Sequence, residues 1–242
     1  MKTSSTATAF VAGATGFTGR EAVRQLCEKG IRVIAHIRPG SGSAARWRGQ
    51  LAAWGAEVVE VPWEPEAMQT ALEEARPDLV YCLIGTTRAL AKREKLEADD
   101  IYDAVDYRLT ALLVEAAAAA QLRPRFVYLS SVGADPNARG AYLAARGRAE
   151  AAVAGSGLPY TIARPSVISG EGRDEPRPAE HLAAVALNGG LGLLAAVGAK
   201  RLQGRYRSIT DIALARALVR AGTDPSFEGK VLHGEELQRL GR

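Results

Sequence analysis

ATAFVAGATGFTGR, residues 7–20, joins an apolar run to a glycine-rich turn. The turn has the form GxxGxxG, and an amphipathic helix ending at Gly30 is predicted directly after it. Without side chains, such a turn lets backbone N–H groups at a helix N-terminus approach a pyrophosphate, whereas a plain tight turn is the alternative. The stretch therefore predicts a dinucleotide-binding turn formed by Gly13, Thr15, Gly16, Phe17, Thr18 and Gly19.

The same alternation of short apolar runs and helical patterns continues along the chain, which is typical of βαβ units and a parallel sheet. Strands are predicted at Ala7–Ala12, Ile31–Ile37, Glu57–Val61, Leu79–Ile84, Arg125–Leu129, Tyr160–Ala163 and Lys230–His233. Helices are predicted at Thr18–Lys29, Ala44–Trp54, Glu66–Arg76, Ile101–Gln121, Tyr142–Ala154, Ala179–Val197 and Asp211–Ala221. The fold class is therefore α/β, a Rossmann-like doubly wound parallel sheet.

Length and composition indicate one domain. The chain has 242 residues, 47% hydrophobic and 24% charged, as in ordinary globular proteins. A chain of this size buries about 70 to 75% of its unfolded surface, so its core needs no metal or disulfide. We expect a single domain over 1–242, in which 1–165 forms the cofactor-binding core. Residues 166–242 would add the last strand and a small substrate-side cap, and no metal site is predicted.

Cysteine usage and the terminal sequence indicate a cytoplasmic protein. Cys27 and Cys82 both fall inside predicted elements, so a bridge between them is not expected and a reducing compartment fits best. The N-terminus has no apolar stretch followed by a cleavage signature. The apolar stretch Leu182–Ala199 is interrupted by glycines, and it predicts two short buried helices or a pocket wall, not a membrane span.

The charge pattern argues against a nucleic-acid partner. The net charge is +4, and most cations alternate with acids along the chain. The exception is KRLQGRYR, residues 200–207, which is interpreted as a solvated loop or, alternatively, as an anion or substrate contact.

The end of the second predicted strand favours NADP(H) over NAD(H). An NAD-selective site would place a carboxylate about 20 residues after the first glycine, but no acid lies between Glu28 and Glu57. Arg38 stands there instead, and its guanidinium fork suits a 2′-phosphate. A solvated turn residue is the alternative interpretation of Arg38.

A hydroxyl, a phenol and a cation are expected to lie together further along the chain. Ser130 and Ser131 end a strand, and Tyr142 follows with Arg146 one helical turn later. A phenol with a pKa near 10 can exchange a substrate proton at neutral pH only beside a stabilising cation. The pattern predicts an acid/base site, with a plain helix-surface tyrosine as the alternative.

Five segments together resemble the atypical or extended short-chain dehydrogenase/reductase superfamily. They are GATGFTGR (13–20), CLIGTTR (82–88), YLSSVGAD (128–135), YLAARGRAE (142–150) and IARPSVISG (162–170). Within it, the chain looks most like the Tat-interacting-protein group of oxidoreductases and the neighbouring NmrA-like proteins, over nearly its whole length.

The resemblance implies roles for individual residues. Ser131 or Ser130 would polarise a substrate carbonyl, and Tyr142 would be the acid/base residue. Asp106 stands where the superfamily often has asparagine, in the helix behind the site. The cofactor-binding residues implied are Gly13, Gly16 and Gly19 at the phosphates, Arg38 at the 2′-phosphate, Gly85, Thr86 and Thr87 at the nicotinamide ribose, and Arg164, Pro165 and Val167 beside the nicotinamide.

Two departures from the superfamily pattern affect the functional prediction. Arg146 replaces the lysine of Tyr-x-x-x-Lys, and Trp63 stands near a position where aspartate commonly meets adenine. Arginine keeps the charge but is a longer planar fork that does not deprotonate. In the enzyme interpretation, Arg146 would hold the ribose and bias Tyr142 toward phenolate.

Two functions are therefore expected from the sequence. The first is hydride transfer between NADP(H) and a small, apolar carbonyl or hydroxyl compound. The second is a catalytically weak NADP(H)-binding redox sensor or regulator that acts through a protein partner. A homodimer is compatible with either.

Overall fold

A computed structural model describes residues 6–40, 44–86, 98–170 and 208–242. Within these ranges, no helix has the length and apolarity that crossing a bilayer requires. The predictions for Thr87, the helix Ala179–Val197 and residues 200–207 lie outside the described ranges.

The main sheet has seven strands in the order β3-β2-β1-β4-β5-β6-β9, and every neighbouring pair is parallel. A separate two-stranded sheet pairs β7 with β8. The strands are β1 Thr8–Ala12, β2 Arg32–Ile37, β3 Glu57–Glu60, β4 Leu79–Cys82, β5 Arg125–Leu129, β6 Tyr160–Arg164, β7 Ile168–Ser169, β8 Ile209–Thr210 and β9 Lys230–His233. The predicted doubly wound parallel sheet is confirmed.

Helices follow most of the strands, as in βαβ units. The described α-helices are α1 Phe17–Glu28, α2 Ala44–Ala53, α3 Pro65–Ala75, α4 Ala98–Ile101, α5 Leu109–Ala119, α6 Ala141–Gly155, α7 Asp211–Thr223 and α8 Gly234–Leu240. A π-helical segment, Tyr102–Arg108, joins α4 to α5. The prediction of one continuous α-helix over Ile101–Gln121 is therefore wrong for Tyr102–Arg108. The spacing of apolar residues in the sequence does not reveal a single wider turn.

Both faces of the sheet are buried, which explains the nearly continuous apolar strands. In β1, Ala9 and Val11 pack on one side, whereas Phe10 and Ala12 pack on the other. Residues of α1, α2, α7 and α8 cover the first side, and residues of α3, α5 and α6 cover the second. The described part of the chain is therefore layered, with helices on both faces of the sheet.

The strand order reverses between β1 and β4, which lie side by side at the centre of the sheet. In open α/β sheets, ligands bind in the crevice at the carboxyl ends of the strands at this switch point. The glycine-rich turn follows β1 and Gly85 follows β4, so both predicted cofactor turns lie at the expected crevice. The predicted fourth strand is two residues too long, because β4 ends at Cys82.

The C-terminal part completes the main sheet, since β9 pairs with β6. Several short elements of the described residues are not among those predicted. The β7 and β8 strands have two residues each, too few for a periodic signal. Helix α8 has only seven residues. Its start is stabilised by the Glu236 carboxylate, which accepts the N–H of His233 at 3.1 Å.

Candidate cofactor-binding site

The glycine-rich turn is tightly packed at two of its three glycines. Gly13 has a φ of +85°, and a Cβ there would lie 2.7 Å from the Leu83 carbonyl oxygen. A Cβ at Gly19 would lie 2.0 Å from the Gly13 oxygen. The fold itself therefore requires these two glycines, because the turn rests against the end of β4 and against the first turn of α1.

Gly16 differs because its missing side chain faces outward. It is exposed and precedes α1, and among the described residues a Cβ there would meet only the Gly13 oxygen, at 3.1 Å. Helix α1 is described throughout and carries no acidic residue in its first turn. An open, acid-free helix N-terminus suits a pyrophosphate, so the residues present fit a dinucleotide.

The end of β2 lies beside the glycine turn. His36 is the register partner of Ala12, so the exposed Arg38 is at the same sheet edge two residues later. The His36 ring is stacked on Phe10 and meets Trp63 edge-on, and its Nε2 lies 2.9 Å from the Val61 oxygen. Burial lowers the pKa of His36, which favours the neutral ring. This aromatic packing fixes the strand end from which Arg38 projects.

The turn after β4 is held by a buried carboxylate. Asp106, in the π segment, accepts the N–H of Thr86 at 3.2 Å and the Thr86 hydroxyl. Gly85 lies next to the Arg146 guanidinium. Gly85 and Thr86 therefore lie in the crevice beside Gly13, and their contact with the nicotinamide ribose stays a prediction.

Arg146 is buried, with a side chain 4% exposed, and it is ion-paired with Asp106 at 2.7 Å. Its guanidinium carbon lies 5.4 Å from the centre of the Tyr142 ring. The Tyr142 ring in turn meets Tyr102 of the π segment edge-on, with 5.3 Å between centroids. Tyr142 and Arg146 are therefore neighbours, as predicted. The guanidinium is also ion-paired with Asp106, and this contact was not predicted from the sequence.

The two serines after β5 have different surroundings. The Ser130 hydroxyl donates to Glu150 at 2.5 Å, and Arg164 donates to both oxygens of the same carboxylate. This pairing raises the pKa of Arg164 above its usual value. The Ser131 hydroxyl has only a long, 3.4 Å contact to the Val132 oxygen. Of the two, Ser131 is better placed to turn its hydroxyl toward a substrate.

The segment after β6 is hydrogen-bonded to the residues that follow β5 and to β8. Val132 N–H donates to the Pro165 oxygen and Ile209 N–H to the Val167 oxygen, each at 2.9 Å. Pro165 and Val167 thus stand at the same carboxyl edge of the sheet as Ser131. The Arg164 side chain is instead engaged by Glu150, on the α6 side.

Sequence reasoning missed Glu150 and Tyr102 as members of this cluster. Glu150 had a signal, because it stands four residues after Arg146 and therefore shares a face of α6 with it. An acid on a face that also carries apolar residues such as Val153 indicates a buried pairing. Tyr102 had no comparable signal, since its contact with Tyr142 depends on the π turn.

A doubly wound parallel sheet with a glycine-rich turn and an open helix N-terminus at its switch point defines a Rossmann-type dinucleotide-binding protein. The family described as NAD(P)H-binding matches residues 13–185. The chain belongs to this family, and it binds a nicotinamide cofactor. The predicted place in the short-chain dehydrogenase/reductase superfamily is confirmed.

Among curated proteins, the chain is similar to Protein TIC 62, chloroplastic. It is 33% identical to the Oryza sativa subsp. japonica protein over 175 residues, which cover 64% of this chain and 34% of that protein. For the Pisum sativum protein the identity is 32%, with 64% of this chain and 32% of that protein covered. The chain thus spans about a third of the length of these relatives.

Solved structures share the fold at lower identity. A putative NAD-dependent epimerase/dehydratase from Bacillus halodurans matches with a TM-score of 0.69 and 21% identity, covering 97% of this chain and 98% of that one. The Bordetella bronchiseptica enzyme WbmH, solved with NAD+, matches with a TM-score of 0.64 and 17% identity, covering 94% and 75%.

Proposed function

We propose that the chain is an NADP(H)-dependent oxidoreductase that transfers hydride between the nicotinamide and a small, apolar carbonyl or hydroxyl compound. The observation that carries the proposal is the junction at Arg146. Its guanidinium donates to Leu129 O at 2.7 Å and to Ile84 O at 3.2 Å. Helix α6, with Tyr142, is thereby held against the ends of β4 and β5, next to the glycine-rich turn.

When bound, the cofactor supplies or accepts the hydride. Gly16 and the first turn of α1 would hold the phosphates, and the Gly85–Thr86 turn would orient the nicotinamide ribose. Ser131 would donate a hydrogen bond to the substrate oxygen. The Tyr142 hydroxyl would deliver the proton to that oxygen during reduction and remove it during oxidation.

A catalytically weak NADP(H) sensor or regulator, acting through a protein partner, is the second candidate. It is favoured by the ion pair between Arg146 and Asp106. A cation whose charge is balanced by a neighbouring carboxylate stabilises a phenolate less than a cation without such a partner. Turnover assays with NADPH across aldehydes and ketones distinguish the two. Turnover supports the oxidoreductase, whereas cofactor binding without turnover on any carbonyl supports the regulator.

The proposed location is the cytoplasm. Cys27 and Cys82 both fall inside predicted elements, so no disulfide between them is expected and a reducing compartment fits best.

Tighter binding of NADPH than of NADH is expected from Arg38. An arginine–phosphate pair is worth about 1.5 to 3 kcal/mol, which corresponds to about ten- to a hundredfold in affinity. Calorimetry with both cofactors measures the preference. Arg38→Asp should erase or reverse it, because a carboxylate repels the 2′-phosphate and accepts from a ribose hydroxyl.

Arg32→Ala is the control for the substitution at Arg38. Both arginines are exposed and flank the same strand, but Arg32 is at its opposite end, where it pairs with Glu57 at 2.7 Å. The control should keep the wild-type preference. Equal affinities of the wild-type protein for the two cofactors would contradict the role assigned to Arg38.

A further inference from the structure

Asp106 is a buried carboxylate between the turn after β4 and the helix that carries Tyr142. The residue is 0% exposed. One oxygen lies 2.7 Å from Arg146 Nη2, while the other accepts the N–H of Thr86 at 3.2 Å. A charge at this depth is tolerated only when it is paired and hydrogen-bonded. Asp106 therefore joins helix α6 to the cofactor turn.

Arg146 extends this connection to two strand ends. Nη1 donates to the Leu129 oxygen at 2.7 Å and to the Tyr128 hydroxyl at 3.2 Å, and Nη2 donates to the Ile84 oxygen at 3.2 Å. Burial acts to lower the pKa of Arg146, but Tyr128, Tyr142 and Asp106 hold it well above its usual value. The guanidinium therefore stays charged, and both of its terminal nitrogens are engaged by the protein itself.

The π segment contacts α6 through several of its side chains. Tyr102 meets the Tyr142 ring, Asp103 pairs with Arg148 at 2.8 Å, and Asp106 pairs with Arg146. π turns inside helices recur at functional sites, where they place side chains that a regular helix would turn elsewhere. Here the segment brings Asp106 to the cofactor turn and holds it in register with α6.

Gly85 shows how closely the turn is packed on this ion pair. A Cβ at Gly85 would lie 2.6 Å from Arg146 Nη2, so the backbone lies directly against the guanidinium. The next residue, Thr86, is bound to Asp106. The position of the turn is therefore determined from both sides by the two charged groups.

We propose that Asp106 and Arg146 are positioning residues, one ion pair that holds the Gly85–Thr86 turn where the nicotinamide half of the cofactor binds. The inference rests on the proposed cofactor site, and it assigns Arg146 an indirect action instead of the direct contact with the ribose expected from the sequence. A planar fork can serve several fixed acceptors at once, which a single ammonium cannot do with the same geometry.

The proposal is tested by measuring the affinities for NADPH and for a fragment of it, adenosine 2′,5′-bisphosphate. In the proposed site, NADPH would reach the Gly85–Thr86 turn, whereas adenosine 2′,5′-bisphosphate would occupy only the adenosine end. In Asp106→Asn and in Arg146→Met, NADPH affinity should fall on the order of tenfold, with bisphosphate affinity unchanged. The two residues act as one unit. The double variant should therefore lose no more affinity for NADPH than whichever single variant binds NADPH more weakly. Calorimetry measures all four proteins.

Arg125→Met is the matched control. Arg125 is also a largely buried arginine, with its side chain 13% exposed and 3.8 Å from Glu228, but it begins β5 at the opposite edge of the sheet. This variant should bind both ligands as the wild type does. Equal weakening of both ligands in the Asp106 and Arg146 variants would overturn the proposal, because it would indicate general loss of structure.

A second outcome would also overturn it. If Arg146→Met weakens NADPH while Asp106→Asn leaves it unchanged, Arg146 contacts the cofactor directly. A single variant that leaves an unpaired buried charge could fail to fold. In that case Asp106→Leu/Arg146→Met removes both charges, and its affinities for NADPH and adenosine 2′,5′-bisphosphate are compared in the same way. None of these readouts requires turnover, so failure of the oxidoreductase proposal would be seen separately, in the carbonyl assays.

Discussion

Gly16→Val is expected to abolish measurable binding of NADPH and NADH while the protein remains folded. Gly16 is exposed, and in the part of the chain that the structure describes, a Cβ there would meet only the Gly13 oxygen, at 3.1 Å. A branched side chain would instead occupy the space in front of the α1 N-terminus, where the pyrophosphate is expected to approach the backbone N–H groups. Circular dichroism measures whether the variant is folded, and a fluorescence titration with each cofactor measures binding.

Two other glycines provide controls for this substitution. Gly49→Val places the same side chain in α2, where a Cβ has no neighbour within 4 Å among the described residues, and it should leave binding unchanged. Gly19→Ala should disturb the fold, since its Cβ would lie 2.0 Å from the Gly13 oxygen. Retained cofactor binding in Gly16→Val would contradict the prediction and would mean that the glycine-rich turn serves only the fold.

Tyr142→Phe is expected to lower kcat by about two or more orders of magnitude with little change in NADPH affinity. The substitution removes the proposed proton donor but keeps the ring that packs near Arg146 and Tyr102. General acid catalysis typically contributes about 10²- to 10⁴-fold, so most of the rate should be lost. Steady-state kinetics with an active carbonyl substrate, together with a cofactor titration, measures both quantities.

Tyr102→Phe is the matched control, because it removes a phenolic hydroxyl from the ring that contacts Tyr142. Its kcat should stay within about threefold of the wild type, since ring packing is kept. If Tyr102→Phe lost as much rate as Tyr142→Phe, the proton donor would not be Tyr142 alone. An unchanged kcat in Tyr142→Phe would remove the tyrosine from the mechanism.

Local signals in the sequence were enough to predict the sheet and to place the glycine-rich turn between β1 and α1. The strands are nearly continuous apolar runs because both faces of the sheet are buried, and helices with an apolar face separate them. The glycine-rich turn could be recognised because Gly13, Gly16 and Gly19 act within one turn of the chain. Interactions between residues close in sequence leave periodic or spaced patterns, and such patterns can be read without coordinates.

The partners of the buried polar groups could not be read in this way. Asp106 and Arg146 are 40 residues apart, and the sequence offers 27 acidic residues as candidate partners for the arginine. Ser130 and Ser131 look alike in sequence, but only Ser130 reaches Glu150. These pairings depend on how helices pack across the sheet and on one π turn. A buried charge requires a partner, but only tertiary packing selects which partner lies within reach.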